Sequence, residues 1–323
     1  MDRKKLFNVL KTDITRINQA LEGNLTSHVQ MISEVGRYIL LSGGKRIRPL
    51  LFLLSARMCG CQEDHLPDIS TVFEYLHAAT LLHDDVVDAA TVRRGLSSAN
   101  TIWGNQAVIL VGDFLLSKAL NIAVATNQIR VMQVLAQTTI QMAEGEILQL
   151  IYTGNLDKTE ADYFEVITRK TAILMSAACQ IGAILGGAPR AQEMALKDFG
   201  LNLGITFQIV DDILDYTGNV EELGKPVGND LKEGKITLPL IHALSQAEPQ
   251  DRQALLALAG STDQDEIARE LRPILEKYGS LDHARQQAQF YTAKAQEFLQ
   301  IFPPSGEKSI FTEITNYLVE RTC

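Results

Sequence analysis

"TAILMSAACQIGAILGG", residues 171–187, carries polar side chains only at Thr171, Ser176 and Gln180. A helix that is apolar on nearly every side offers water no face, so it belongs inside a protein or along the wall of a cavity. Outward from it the same spacing recurs, with apolar residues three and four apart over 27–41, 69–88, 107–124, 130–151, 160–186, 192–216 and 281–300. Only nine prolines interrupt the 323 residues. The chain therefore reads as all-α. Breaks fall at "SGGK" (42–45), "TGNLDKTE" (153–160), "GGAPR" (186–190), "TGNVEELGKPVGND" (217–230) and "FPPSGEK" (302–308). None is long enough for a domain linker, which predicts one domain over residues 1–323.

Composition narrows the partners. The formal net charge is −9 and no basic run interrupts it, which argues against nucleic acid. Four cysteines, Cys59, Cys61, Cys179 and Cys323, are too few and too irregular for a disulfide framework and read as free thiols in a reducing, cytoplasmic compartment. The N-terminal stretch alternates polar and apolar residues and lacks a signal-peptide core. Apolar runs such as "PLLFLL" fall short of the roughly 20 residues a membrane span needs, so no transmembrane segment is expected.

The chemistry concentrates in two acidic motifs. In "LHAATLLHDDVVDAATVRRG" (76–95), Asp84 and Asp88 lie one turn apart on one helix face with Asp85 beside them. Like charges so spaced repel, and the residues one turn upstream, Leu81 and Thr80, are not basic. "GITFQIVDDILDYTG" (204–218) repeats the pattern with Asp211, Asp212 and Asp215. One such motif reads equally well as an acidic helix end in water, whereas two point to hard oxygen ligands for Mg²⁺, which shares a few carboxylates with water and substrate phosphates.

Basic residues bracket both motifs. Lys45, Arg46 and Arg48 follow two glycines in "SGGKRIRP" (42–49), Arg93 and Arg94 follow the first motif, Lys170 and Thr171 open the apolar helix, and Lys225 and Lys235 flank the second motif. Each alone is ordinary surface charge. Together they fit two anionic groups, one bound with metal and one without. His77, two turns before Asp84, and Gln208, three residues before Asp211, share faces with the acids.

In this set the chain resembles the all-trans isoprenyl diphosphate synthases, the polyprenyl synthetases, and among them the long-chain bacterial members of the octaprenyl type. The resemblance is carried in family order by "GGKRIRP" (43–49), "LLHDDVVDAATVRRG" (81–95), "VGDF" (111–114), "AEGEILQL" (143–150), "KTAIL" (170–174), "GITFQIVDDILDY" (204–216) and "LGKPVGNDLKEGKITLPL" (223–240). It implies an isoprenoid-synthase helical bundle around a deep central cavity. It also implies two to three Mg²⁺ ions, bound through Asp84, Asp88 and Asp211 with Asp85, Asp212 and Asp215 as neighbours. An allylic diphosphate such as farnesyl diphosphate would ionise there, its phosphates met by Arg93, Lys170, Lys225 and Lys235. Isopentenyl diphosphate would sit on Lys45, Arg48, His77 and Arg94, with Gln208 and Thr171 positioning the reacting end. A homodimer, with the apolar helices near 107–151 as interface, is implied by the same resemblance.

Product length follows from tunnel depth. Each added isoprene unit projects to about 5 Å, roughly one helical turn. In the family an aromatic residue four or five positions before the first motif closes the tunnel early, and here those positions are Thr80 and Ala79, with Ala78 beside them. The upper tunnel is expected to be open, with a floor deeper, around Ala119, Ala123 and Leu135. A product of about C40 is preferred over shorter and longer ones. A terpene cyclase would need a different second motif, and a head-to-head prenyl synthase carries acidic motifs of DxxxD form. A non-catalytic regulatory subunit could dispense with one of the two intact motifs.

Overall fold

The computed structural model, which describes residues 3–218, 228–261 and 263–320, forms helices where the apolar spacing placed them. In chain order these are α1 (Arg3–Asn24), α2 (Gln30–Leu41), α3 (Ile47–Met58), α4 (Leu66–Val87), α5 (Ala99–Trp103) and α6 (Asn105–Val124). There follow α7 (Ile129–Tyr152), α8 (Glu160–Ile167), α9 (Ile173–Leu185) and α10 (Arg190–Thr217). The remainder holds α11 (Asn229–Lys232), α12 (Leu238–Gln246), α13 (Pro249–Ala259), α14 (Gln264–Lys277), α15 (Ser280–Phe298) and α16 (Gly306–Glu320).

Two local features depart from the periodic reading. The helix expected over 160–186 is interrupted by a π-helical turn at Thr168–Ala172, between α8 and α9. An inserted residue rotates the face that follows by about 100°, but a segment apolar on nearly every side has no stripe to betray the shift. After α4 the chain turns through a short antiparallel hairpin, β1 (Val92–Arg93) and β2 (Leu96–Ser97). Arg94 and Gly95 at its tip both have positive φ, 53° and 76°, as a tight two-residue hairpin turn requires.

The chain groups into two units, each assembled from three segments. The first comprises Met1–Gln137, Ala177–Lys197 and Ile301–Glu313. At its heart is α4, with Pro67 and Asp68 in its first turn, where a missing N–H and a negative charge both suit a helix start. Its apolar residues point several ways because it packs against α1, α3 and α6 together. The rings of Phe52 and Phe73 meet at 5.4 Å, and Tyr75 Oη donates to the Leu21 carbonyl at 2.9 Å. Against α4, α6 buries Val108, Val111, Leu115, Ala119 and Ala123. By length and composition α6 could cross a bilayer, with mean hydropathy 1.8. A buried face packed against α4 is what the same length and composition give to a core helix.

The second unit comprises Thr138–Ser176, Asp198–Gln300 and Ile314–Cys323. Its core gathers Tyr163, Ile209, Ile213, Tyr216, Leu238, Leu271 and Leu281. Two glycines allow other backbone to approach the π turn. A Cβ on Gly145 would lie 2.5 Å from the Lys170 amide nitrogen, and one on Gly204 would lie 2.5 Å from Ala172 Cα. No side chain fits either gap. Elsewhere in this unit the rings of His242 and His283 stack at 4.3 Å, the first bonded to Ser280 Oγ at 3.0 Å and the second to Glu160 at 2.9 Å.

Candidate active site

Asp84, Asp85 and Asp88 close α4 and differ in exposure. Asp84 and Asp88 are half-buried, whereas Asp85 is fully buried. The hairpin folds Arg93 back so that its Nε donates to Asp85 Oδ1 at 2.6 Å. Asn100 Nδ2 and the Ala90 amide both donate to the Asp85 carbonyl, at 3.0 and 2.9 Å. Burial pushes the Asp85 carboxyl up and the Arg93 guanidinium pulls it back. The base missing one turn upstream thus arrives from the hairpin. Arg93, expected on phosphate, is engaged by an aspartate.

The basic loop divides the same way. Arg46 starts α3 in the left-handed region, buried, with hydrogen bonds to Asn18, to Glu74 at 2.7 Å and to the Leu40 carbonyl at 2.6 Å. It is a structural cation whose charge Glu74 offsets. Arg94 reaches from the hairpin to the Gly43 carbonyl and to Ser42 Oγ, joining the two loops. Lys45 is exposed and Arg48 half-buried, and Arg48 Nε has no hydrogen-bond acceptor among the described residues. Burial pushes Arg48 down, with Glu74 opposing and Arg94 adding to the shift. His77 faces this cluster. Burial, then Arg48, Arg94, Arg93 and Arg46, holds its pKa well below the usual histidine value, so the ring is neutral. With Arg46 held by Glu74 and Arg93 by Asp85, Arg48, Arg94 and the neutral imidazole are the groups left to meet an anion.

The expected chain-length residues occupy the same unit. Ala79, Ala119, Ala123 and Leu135 are buried, and Thr80 Oγ1 donates to the His77 carbonyl at 2.8 Å.

In the second unit the motif divides two to one the other way. Asp211 is exposed, while Asp212 and Asp215 are buried. Asp212 accepts from Tyr163 Oη at 2.6 Å and from Gln208 Nε2 at 2.8 Å. Thr171 Oγ1 donates to Gln208 Oε1 at 2.9 Å, so Thr171, Gln208 and Asp212 form one chain of bonds. Burial raises the Asp212 carboxyl to about 7, against the pull of Tyr163 and Gln208. Asp215 accepts from the Asp230 amide at 3.1 Å, and its own carbonyl from the Gly228 amide at 2.8 Å. Lys170, at the π turn, pairs with Glu146 at 2.6 Å, and Lys235 with Glu233 at 2.6 Å. Lys225 lies outside the described residues.

Glu74, Asn100, Glu146 and Tyr163 were not legible as site residues, because their partners lie on other elements. Among the described residues no group of three or more carboxylate, imidazole or thiol side chains converges to hold a metal alone. Mg²⁺ asks for less, since it keeps several waters and takes phosphate oxygens besides one or two carboxylates.

The polyprenyl synthetase family profile matches residues 29–275. The chain belongs to the polyprenyl synthetase family. It is 39% identical to the octaprenyl diphosphate synthase of Escherichia coli over 99% of both chains. It is 36% identical to an all-trans-nonaprenyl-diphosphate synthase of Rhodobacter capsulatus, over 96% of this chain and 95% of that one. Among solved structures it resembles a Caulobacter crescentus polyprenyl synthase complexed with calcium and isoprenyl diphosphate, with TM-score 0.93 and 37% identity over 99% and 98% of the two chains. This polyprenyl synthetase is accordingly an all-α prenyltransferase of the long-chain trans type. The expected family and fold are borne out.

Proposed function

We propose that this polyprenyl synthetase condenses isopentenyl diphosphate repeatedly onto an allylic diphosphate, farnesyl diphosphate for preference, to give about C40, octaprenyl diphosphate. The observation that carries the reading is that each acidic motif keeps at least one carboxylate with solvent access beside at least one that is buried. In the first, Asp84 and Asp88 flank the single buried Asp85, held by Arg93; in the second, Asp211 is open while Asp212 and Asp215 are buried and held by Tyr163, Gln208 and the Asp230 amide. The open carboxylates are the Mg²⁺ ligands, two to three ions in all. The buried ones set the shape of the helix ends. Bound Mg²⁺ would supply charge to stabilise the departing pyrophosphate.

The residues of the chain do the rest. Lys170, Lys225 and Lys235 offer ammonium groups to the allylic phosphates, and Glu146 and Glu233 hold two of these lysines until substrate arrives. Arg93, held by Asp85, is the arginine assigned to the same phosphates. Lys45, Arg48, Arg94 and neutral His77 take isopentenyl diphosphate, with the unpaired Arg48 Nε as a donor for its phosphate. Thr171 and Gln208 position the reacting end, and apolar helices keep water from the cation. Ala79, Thr80, Ala119, Ala123 and Leu135 set the length of the tail. The length rests on similarity to the octaprenyl enzyme, with small residues where the family's short-chain block stands.

Asp84→Ala and Asp211→Ala are each expected to abolish turnover while circular dichroism keeps its helical signal. Retained turnover in either would remove that carboxylate from the metal set.

We also propose that residues 1–323 act as one domain and that two copies pair through α7. Its exposed residues Ile129, Gln133, Ala136, Ile140, Ala143, Ile147 and Leu150 follow alternating steps of four and three, the seam spacing of paired helices. Ile140→Glu is expected to convert a dimer to a monomer in sedimentation velocity. An unchanged mass would place the interface elsewhere.

A further inference from the structure

The loop between α7 and α8 was read from sequence only as a break. Its contacts are specific. The Gly154 amide donates to the Gly234 carbonyl at 2.8 Å, and Lys158 Nζ donates to the Ile236 carbonyl at 3.0 Å. These two carbonyls flank Lys235. A Cβ on Gly234 would lie 2.9 Å from Thr153 Cγ2, so loop and strand of chain are in direct contact. From the other side, the Lys235 amide donates to the Asp230 carbonyl at 2.8 Å, and Tyr216 Oη bonds Thr237 Oγ1. The backbone of Lys235 is thus held on both sides.

Lys158 is placed for that task and not for solvent. Its ammonium lies 5.5 Å from the Tyr163 ring centroid and 5.9 Å from that of Tyr152. Burial pushes its pKa down, and Asp212 and Asp162 act in the opposite direction. A lysine whose charge is spent on a backbone carbonyl between two aromatic rings is costly to keep unless that carbonyl has to stay put.

We propose that Lys158 is a positioning residue: with Gly154 it clamps the 234–236 backbone and so fixes the ammonium of Lys235 for the diphosphate. The proposal rests on the phosphate role assigned to Lys235 above. It makes the 153–158 loop part of the catalytic apparatus without touching substrate.

The test uses the full chain with Lys158→Met, Lys158→Arg, Lys235→Ala and the Lys158→Met/Lys235→Ala double variant. Lys158→Met is expected to lower kcat about tenfold, the scale of one charged hydrogen bond, with KM for isopentenyl diphosphate unchanged. Lys158→Arg should recover most of it. In the Lys235→Ala background Lys158→Met should have no further effect, because the two act as one unit. Multiplying effects, or a changed Mg²⁺ requirement that persists without Lys235, would assign Lys158 to Asp212 instead and overturn the proposal.

Amide hydrogen exchange separates this from the function itself. Lys158→Met should speed exchange in the 230–238 segment even if the wild-type chain elongated nothing, an outcome that would remove the Lys235 role but leave the clamp to be judged. Unchanged exchange there would overturn the clamp whatever the activity.

Discussion

At the scale of single residues, burial sorts side chains that look alike in sequence. Six aspartates in two repeats are equivalent as letters, yet Asp85, Asp212 and Asp215 are buried and Asp211 is exposed. Sequence located the motifs because helical spacing is local. It could not sort their members, because Arg93, Tyr163 and the Asp230 amide come from other elements. The same logic gives a pH dependence away from the site. Burial, followed by the neighbouring His283, lowers the pKa of His242, with Glu160 opposing. The unfolded chain therefore binds a proton near pH 6.5 that the folded one refuses until lower pH, and stability is expected to fall as pH drops below about 6.5. Urea unfolding at a series of pH values should show this slope, and His242→Gln should flatten it. An equal slope in the variant would locate the sensitive group elsewhere.

At the scale of elements, the helices of the seven periodic stretches and the breaks between them were legible, whereas the other helices and the π turn were not. Spacing found α2, α4, α6, α7, α10 and α15 within a few residues. It missed α1 because polar residues dilute its stripe, and α3 because a helix buried on nearly all sides reads as a bare apolar run. The π turn at Thr168–Ala172 was hidden, and it is the join that presents Lys170 and Thr171. Gly145 is what permits α7 to approach it. Gly145→Val should force the turn away from α7, costing about 1–3 kcal/mol by overpacking and lowering kcat through the displaced Lys170. Chemical denaturation together with steady-state kinetics checks both. Wild-type stability would mean the gap closes by a cheap backbone shift.

At the scale of the whole molecule, the similarity to family members runs the length of the chain. Two acidic motifs, the basic loop with its hairpin, the lysines and the apolar helices all occur in one polyprenyl synthetase with full-length similarity to an octaprenyl enzyme. Fold and reaction class were legible because ordered motifs are specific. Product length was not, since it depends on how helices pack around a growing tail, and a relative of comparable identity makes nonaprenyl chains. The most direct test is to incubate the purified chain with Mg²⁺, farnesyl diphosphate and labelled isopentenyl diphosphate, then size the dephosphorylated products. The account predicts one predominant all-trans product of about C40. A product ending at about C20 would contradict the open tunnel, and no elongation by folded protein with metal present would contradict the assignment of the site itself.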